Sequence, residues 1–435
     1  MILAHYQQEA VSWWQSRKRG ILGDAIGLGK TVSAIAGADT FRTPVLVVCP
    51  KSLKPQWDEH IAQFSSNPAS YAVTNYEQLN KWNPAPTVIF DEATYIKSPK
   101  ALRTVTSIEY AMQADNVLFL TATPVRNHIP DFFTMLFAIF PSLHTSRSGD
   151  LRTDLYRSYK NFVNTHFDVE YFEVQGRMIE KIKKLNPGSE RVIGPMLAHA
   201  LLKRDKAMLN LPPLSQEFVS VPWAAGQRKT YEAALANVLL MSEGESKHID
   251  NLLARMTRLR QAALAPGLFG GPGGSGKTEY LKEVLRENAE IPTLVFTNYA
   301  EYGRQLCTVL DSVLHRPCVC LDGSMSERVR EQSKSDFLSG KSNVFILSAQ
   351  AGGFGLNLQR AQLVIWTDLP WTPDVWEQGT GRAWRRGQEN PVHELVLGMP
   401  DSIDGKVLRL LRRKERIANE AYAMRELWRE MKEGQ

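Results

Sequence analysis

The stretch GILGDAIGLGKTVSAIAG, residues 20–37, constrains this chain more than any other. Ile21 and Leu22 lead into a glycine-containing loop that ends in Lys30 and Thr31, after which small and apolar residues recur at helical spacing. An apolar approach, a tight loop and a helix start in that order make a phosphate cradle. Backbone N–H groups and the positive end of the helix face the anion there. Gly27 and Gly29 let the backbone come close to a polyphosphate, Lys30 brings a mobile cation to its β- and γ-phosphates, and Thr31 brings a hydroxyl for Mg²⁺. The strict pattern GxxxxGK[ST] has glycine where Asp24 stands, so the match is degenerate.

The residues downstream of the loop support it. From residue 44 to residue 141 the apolar runs PVLVVCP, TVIFDEAT and NVLFLTATP alternate with helical segments, the pattern of a parallel sheet covered by helices. Ligands of such sheets sit at the carboxyl ends of the strands. TVIFDEAT delivers Asp91 and Glu92 to one of these ends, where Asp91 suits Mg²⁺ and Glu92 suits an attacking water. NVLFLTATP ends in Thr121 and Thr123, two hydroxyls that can bridge a nucleotide site to something beyond it. Ahead of the loop, MILAHYQQEAVSWWQSRKR reads as an amphipathic helix carrying Gln7, whose amide offers the donor and acceptor that an adenine edge requires.

A second loop, GPGGSGKT at residues 271–278, satisfies the strict pattern better. No apolar strand feeds it and it is not succeeded by a strand-borne acidic pair, so it reads as a flexible glycine-rich hinge capping the helix of TEYLKEVLREN. Lys277 is then not the nucleotide lysine. The segments between the two loops, residues 145–266, include DLYRSYKNFVNTHF, AAGQRKTYEAALANVLLM and HIDNLLARMTRLRQAAL, and read as a helical insertion. After the hinge, PTLVFTNY, CVCLDGS, SNVFILSAQ, AQLVIWTDLP and PVHELVLGM repeat the strand pattern. Two strands of this half end in polar clusters, SAQAGGFGLN and QGTGRAWRRGQ. In the second, Arg382 and Arg385 are three apart and are expected to share a helix face suited to bidentate phosphate recognition. The chain closes on a long charged helical segment expected to brace the second sheet.

Composition sets the class. With 435 residues and 43% hydrophobic content the chain is a folded protein of several domains. The 52 basic and 46 acidic residues give a net charge of +6, compatible with a polyanionic partner. Cys49, Cys307, Cys318 and Cys320 lack CxxC spacing and read as buried free thiols of a reducing cytoplasm. No run has membrane-spanning length and no signal-peptide pattern opens the chain, so a soluble, cytoplasmic protein with no membrane partner is expected.

Taken together these segments resemble the superfamily 2 nucleic-acid-dependent ATPases, and within them the Swi/Snf-like DNA translocases. HYQ at Gln7 is similar to the adenine-reading glutamine motif, DAIGLGKT to DEMGLGKT, and DEAT to DEAH. LTATPVRN resembles LTGTPLQN, and LPWTP at Trp371 resembles the tryptophan motif. AGGFGLN follows AGGxGxN, QGTGRAWRRGQ fits QxxGRxxR with its RxGQ ending, and LLKRDK, LPP and RLRQ recur in family order. The resemblance implies an α/β fold of two RecA-like parallel-sheet lobes. Lobe 1 would span residues 1–144, the insertion 145–266, the linker 267–276, and lobe 2 residues 277–435. It implies ATP with Mg²⁺ bound between the lobes. Gln7, Gly27, Gly29, Lys30, Thr31, Gly355 and Gln378 would hold the nucleotide, Asp91 and Thr31 the metal, and Arg382 and Arg385 would act as arginine fingers.

By the same resemblance, DNA contacts fall at Lys51, Ser52, Thr123, Arg126, Gly352, Gly353 and Trp371. Double-stranded DNA is the expected track, with branched DNA an alternative. Thr94 replaces the usual histidine, a residue that couples nucleotide to nucleic acid, so altered coupling with hydrolysis retained is expected, and Gly381 and Trp384 replace the usual acid and histidine. The chain also lacks the reader modules of large chromatin remodellers, and a compact motor of bacterial or phage type is expected. A strand-separating or fork-remodelling helicase and a non-enzymatic DNA-binding scaffold are the competing readings.

Overall fold

The computed structural model describes residues 3–121, 129–174, 177–240, 249–271, 273–314, 317–349, 356–412 and 431. The chain divides into two compact units, Met1–Asn210 and Leu211–Gln435.

In the first unit the strands are β1 (Arg19–Leu22), β2 (Val45–Cys49), β3 (Tyr71–Asn75), β4 (Thr87–Phe90), β5 (Asn116–Leu120), β6 (Phe167–Val174), β7 (Arg177–Leu185) and β8 (Leu201–Leu202). Six of them form one parallel sheet in the order β3-β2-β4-β5-β1-β8. Runs such as VLVVC and NVLFL are buried at every position, as strands covered on both faces require. The helix His5–Arg17 packs on the helix Lys30–Ala38, where Gly37 makes room for Trp14: a Cβ there would stand 2.6 Å from the indole.

The expected helical character of residues 145–266 holds for the helices Leu151–His166, Glu190–Ala200, Gln227–Leu239 and Ile249–Leu264. It fails at β6 and β7, which pair as an antiparallel hairpin. In FDVEYFEV the apolar positions Phe167, Val169 and Tyr171 alternate with charges. Phe167 and Val169 reach the core of the unit, while Glu170 pairs with Lys183 at 3.2 Å. Lys160, on the preceding helix, bonds Glu180 of β7 at 2.6 Å.

In the second unit the strands are β9 (Leu214–Ser220), β10 (Thr293–Thr297), β11 (Cys318–Leu321), β12 (Val344–Ser348), β13 (Leu363–Trp366) and β14 (Val392–Gly398). They form a second parallel sheet, ordered β11-β12-β10-β13-β14-β9. The boundary at residue 210 therefore falls inside the stretch read as one insertion: residues 145–210 pack with the first sheet, and residues 211–266 enter the second unit, β9 as its edge strand. The glycine-rich stretch lies within this unit; Gly267, Gly270, Gly273 and Gly274 are exposed, and only its end is packed. Gly276 sits against the Pro222 carbonyl, where a Cβ has no room, and its N–H donates to Gln227 Oε1 at 2.9 Å. The helix Ile403–Arg412 begins the charged C-terminal segment, and most of the rest of that segment lies outside the described residues. Among the described residues no helix is long and apolar enough to cross a membrane. The four cysteines are free.

Candidate active site

The sheet of the first unit brings its chemistry to one edge because every strand runs the same way. β1 delivers the chain into the phosphate loop, where Gly27 and Gly29 adopt left-handed backbone angles, φ 94° and 75°, which favour glycine. Gly29 is doubly constrained, since a Cβ on it would lie 2.6 Å from Gln7 Nε2. The helix Lys30–Ala38 starts immediately after it, with Thr31 half-buried in its first turn. Lys30 Nζ folds back over the loop and donates to the Asp24 carbonyl at 2.7 Å. Gln7 is buried: its Oε1 accepts from Ala4 N at 3.0 Å, and its Nε2 lies 3.4 Å from the Leu28 carbonyl. The adenine-reading candidate thus packs directly on the phosphate loop.

At the end of β4, Asp91 is held from four sides. Its N–H donates to the Val48 carbonyl at 2.8 Å and its carbonyl accepts from the Tyr76 hydroxyl at 2.7 Å. Oδ2 accepts from Trp57 Nε1 and Oδ1 from Glu92 N, each at 2.8 Å. Burial raises the pKa of this carboxyl, while the Trp57 and Glu92 hydrogen bonds and the Lys30 ammonium pull it back toward the ionised form. Glu92 turns the chain through the left-handed region at φ 49°, a conformation that costs a non-glycine residue roughly 1–2 kcal/mol. Thr94 comes next but one, half-buried, in the short helical turn Ala93–Ile96. At the same edge Lys51 and Ser52 are exposed in the turn after β2, and Thr121 is buried, its N–H on the Leu22 carbonyl at 3.1 Å. Thr123, Arg126, Gly352, Gly353 and Gly355 lie outside the described residues.

In the second unit Gln378 is half-buried on the helix Pro373–Thr380. That helix ends before the two arginines, so they do not share a helix face as expected. Gly381 caps it, and Arg382 continues in a tighter turn, its N–H on the Gly379 carbonyl at 3.0 Å. The turn still brings the guanidiniums together: Nη1 of Arg382 and Nη1 of Arg385 each lie 3.4 Å from the Leu356 carbonyl. Burial lowers the pKa of Arg385. Trp371 is 8% exposed, with the Arg260 guanidinium over its ring at 4.4 Å. Lys277, in the loop that fits the strict pattern, is fully buried, with Nζ 2.7 Å from both the Thr367 carbonyl and Asp404 Oδ2. Ser275 caps the helix there by accepting from Thr278 N at 3.1 Å.

Three residues of the sites were given no role from the sequence, although Arg204 and Arg260 fall within LLKRDK and RLRQ. Trp57 fixes Asp91, Arg260 covers Trp371 and pairs with Asp368 at 3.1 Å, and Arg204 pairs with Asp24. The signal for the last was Asp24 itself, since an acid buried in a phosphate loop needs a cation.

The SNF2-related domain family matches residues 6–81 and 69–268, and the helicase conserved C-terminal domain matches residues 276–387. The chain is 26% identical to the putative ATP-dependent helicase/translocase YwqA of Bacillus subtilis, over 98% of this chain and 49% of that protein. It is also 26% identical to the ATP-dependent DNA helicase DDM1 of Arabidopsis thaliana, over 94% of this chain and 60% of that protein. The chain thus spans about half the length of the curated relatives it matches. A solved SWI2/SNF2 ATPase core of Sulfolobus solfataricus in complex with dsDNA aligns with 98% of this chain and 95% of its own, at 22% identity and a TM-score of 0.43.

Proposed function

Because the chain belongs to the SNF2-related family, we propose that it hydrolyses ATP to drive translocation along double-stranded DNA. The observation that carries this reading is the first unit's carboxyl edge: a strand-fed loop with two left-handed glycines, Lys30 at the helix start, and Asp91 and Glu92 at the end of β4.

The donor set fits a nucleotide with Mg²⁺. Asp91 is a half-buried carboxyl presented on two hydrogen bonds, and Thr31 places a hydroxyl in the first helical turn. When bound, the ion would neutralise charge on the phosphates. Lys30 exchanges the Asp24 carbonyl for the terminal phosphates, and the loop N–H groups bind the phosphate chain. Glu92 orients water and accepts its proton. Gln7 recognises the base from its seat on the loop. Arg382 and Arg385, already gathered on one carbonyl, stabilise charge on the transferring phosphoryl group, a contribution worth about 10³ to 10⁵ in rate where such fingers are known. Gly355 and Gln378 complete the nucleotide contacts. Lys51, Ser52, Thr123, Arg126, Gly352, Gly353 and Trp371 hold the DNA by its backbone, a mode that carries no base code.

Displacement of a third strand from a duplex carrying a short triplex tests this. The intact chain with ATP is expected to release the third strand and leave the duplex paired, while Glu92→Gln binds ATP and releases nothing. Separation of the duplex strands, or release without ATP, would replace translocation with another activity.

A further inference from the structure

The acid at the first-glycine position of the phosphate loop is part of a buried fork-to-fork ion pair. Arg204 Nε donates to Asp24 Oδ1 at 3.0 Å and Nη2 donates to Oδ2, with the Asp24 side chain 1% and the Arg204 side chain 8% exposed. The same guanidinium donates through Nη1 to the Tyr6 carbonyl, lies 3.6 Å from Glu9 Oε2, and stands over the Tyr6 ring at 5.5 Å. The backbone around it is stitched to the loop as well: Gly23 N donates to the Leu202 carbonyl at 2.8 Å and Ala25 N to the Arg204 carbonyl at 2.9 Å. Lys30 closes the arrangement by donating to the carbonyl of Asp24 at 2.7 Å.

One side chain therefore joins three groups that a nucleotide needs. It holds the loop through the Asp24 carboxylate, it holds the resting place of Lys30 through the same residue, and it holds the helix of Gln7 through the adjacent Tyr6 carbonyl. A buried ion pair is weak evidence for stability, because desolvation of both charges offsets most of their attraction. Its bidentate geometry does fix position and orientation. We propose that Arg204 is a positioning residue for nucleotide binding: it sets the phosphate loop and the Gln7 helix in the mutual geometry that accepts a purine nucleoside triphosphate. This rests on the reading of Lys30 as the nucleotide lysine. Arg204 acts through Asp24 and Tyr6, away from the bond that breaks. Its loss is therefore expected to raise KM and leave kcat nearly alone, the signature of binding shared by ground and transition states.

The test compares the intact chain with Lys30→Ala, Arg204→Lys and the double variant Asp24→Asn/Arg204→Gln. Thermal melting, the Kd for a fluorescent ATP analogue, and KM and kcat for ATP hydrolysis are measured on each. The double variant removes both charges and leaves neither buried alone, so it is expected to melt cooperatively near the parent. Its Kd and KM should still rise on the order of tenfold or more, as loss of positioning implies, with kcat within about twofold. Arg204→Lys keeps the charge without the fork and should fall between the two. A folded double variant, or Arg204→Lys if the double variant does not fold, with the parent's Kd and KM would overturn the proposal, as would a fall in kcat at unchanged KM. Failure of the parent to bind nucleotide, or binding unaffected by Lys30→Ala, would instead overturn the nucleotide site itself.

Discussion

Two lysines in this chain each come directly after a Gly-containing loop, and their surroundings separate their roles. Lys30 bonds a loop carbonyl that phosphate oxygens can replace, whereas Lys277 is buried between the Thr367 carbonyl and the Asp404 carboxylate. Lys30→Ala is expected to reduce ATP hydrolysis to background with little change in melting. Lys277→Ala leaves Asp404 as an unpaired buried charge, which costs about 3–5 kcal/mol, so its signature is a lowered denaturation midpoint. Hydrolysis assays paired with urea denaturation of both variants check this, and loss of nucleotide binding confined to Lys277→Ala would reverse the assignment. Arg385 calls for a different readout. Its guanidinium acts on charge that develops during transfer, so Arg385→Ala should lower kcat by about 10³ or more while the ATP Kd moves little. Equal losses in kcat and affinity, measured by steady-state kinetics and nucleotide titration, would remove its role as a finger.

At the scale of elements, β9 is attached to the second sheet by more than its ladder. Glu394 on β14 is fully buried. Its Oε1 accepts from Trp366 Nε1 at 2.9 Å, from Trp376 Nε1 at 3.0 Å and from the Thr380 hydroxyl, and its Oε2 accepts from Gln216 Nε2 on β9. Each donor left unmet in a buried site costs about 1–3 kcal/mol, so Glu394→Ala should destabilise the second unit severely. Glu394→Gln, which keeps an acceptor, should cost less, and guanidinium unfolding that ranks the two equally would contradict the network. The apolar runs that became β2, β4, β5, β10, β12 and β13 were legible in the sequence because strands buried on both faces carry few polar residues. β6 and β7 were not, because helical periodicity in the preceding segment runs directly into them. β9 was not, because LSQEFVS is mostly polar and finds its partner only across the whole unit, at β14. Of the candidate site, Lys30, Asp91 and Glu92 could be read from a strand-end position. Trp57 and Arg204 could not, since they reach Asp91 and Asp24 from 34 and 180 residues away. The helix expected under Arg382 and Arg385 stops at Thr380 because Gly381 ends it, yet the turn that replaces it gathers the same two side chains.

For the whole molecule, the two units carry different parts of the proposed chemistry: the phosphate loop and acidic pair in the first, the paired arginines in the second. A motor that tracks DNA by its phosphates binds less tightly as salt rises, because condensed counterions are released on binding. On this reading, hydrolysis by the chain is geared to duplex DNA. Steady-state ATP turnover, measured without nucleic acid and then with plain duplex, single-stranded DNA, forked DNA and RNA, puts that gearing to its sharpest test. Strong stimulation by plain duplex, declining with salt and absent in Glu92→Gln, is expected. Turnover that no nucleic acid changes would refute the gearing, and stimulation confined to forks or single strands would assign the motor a different track.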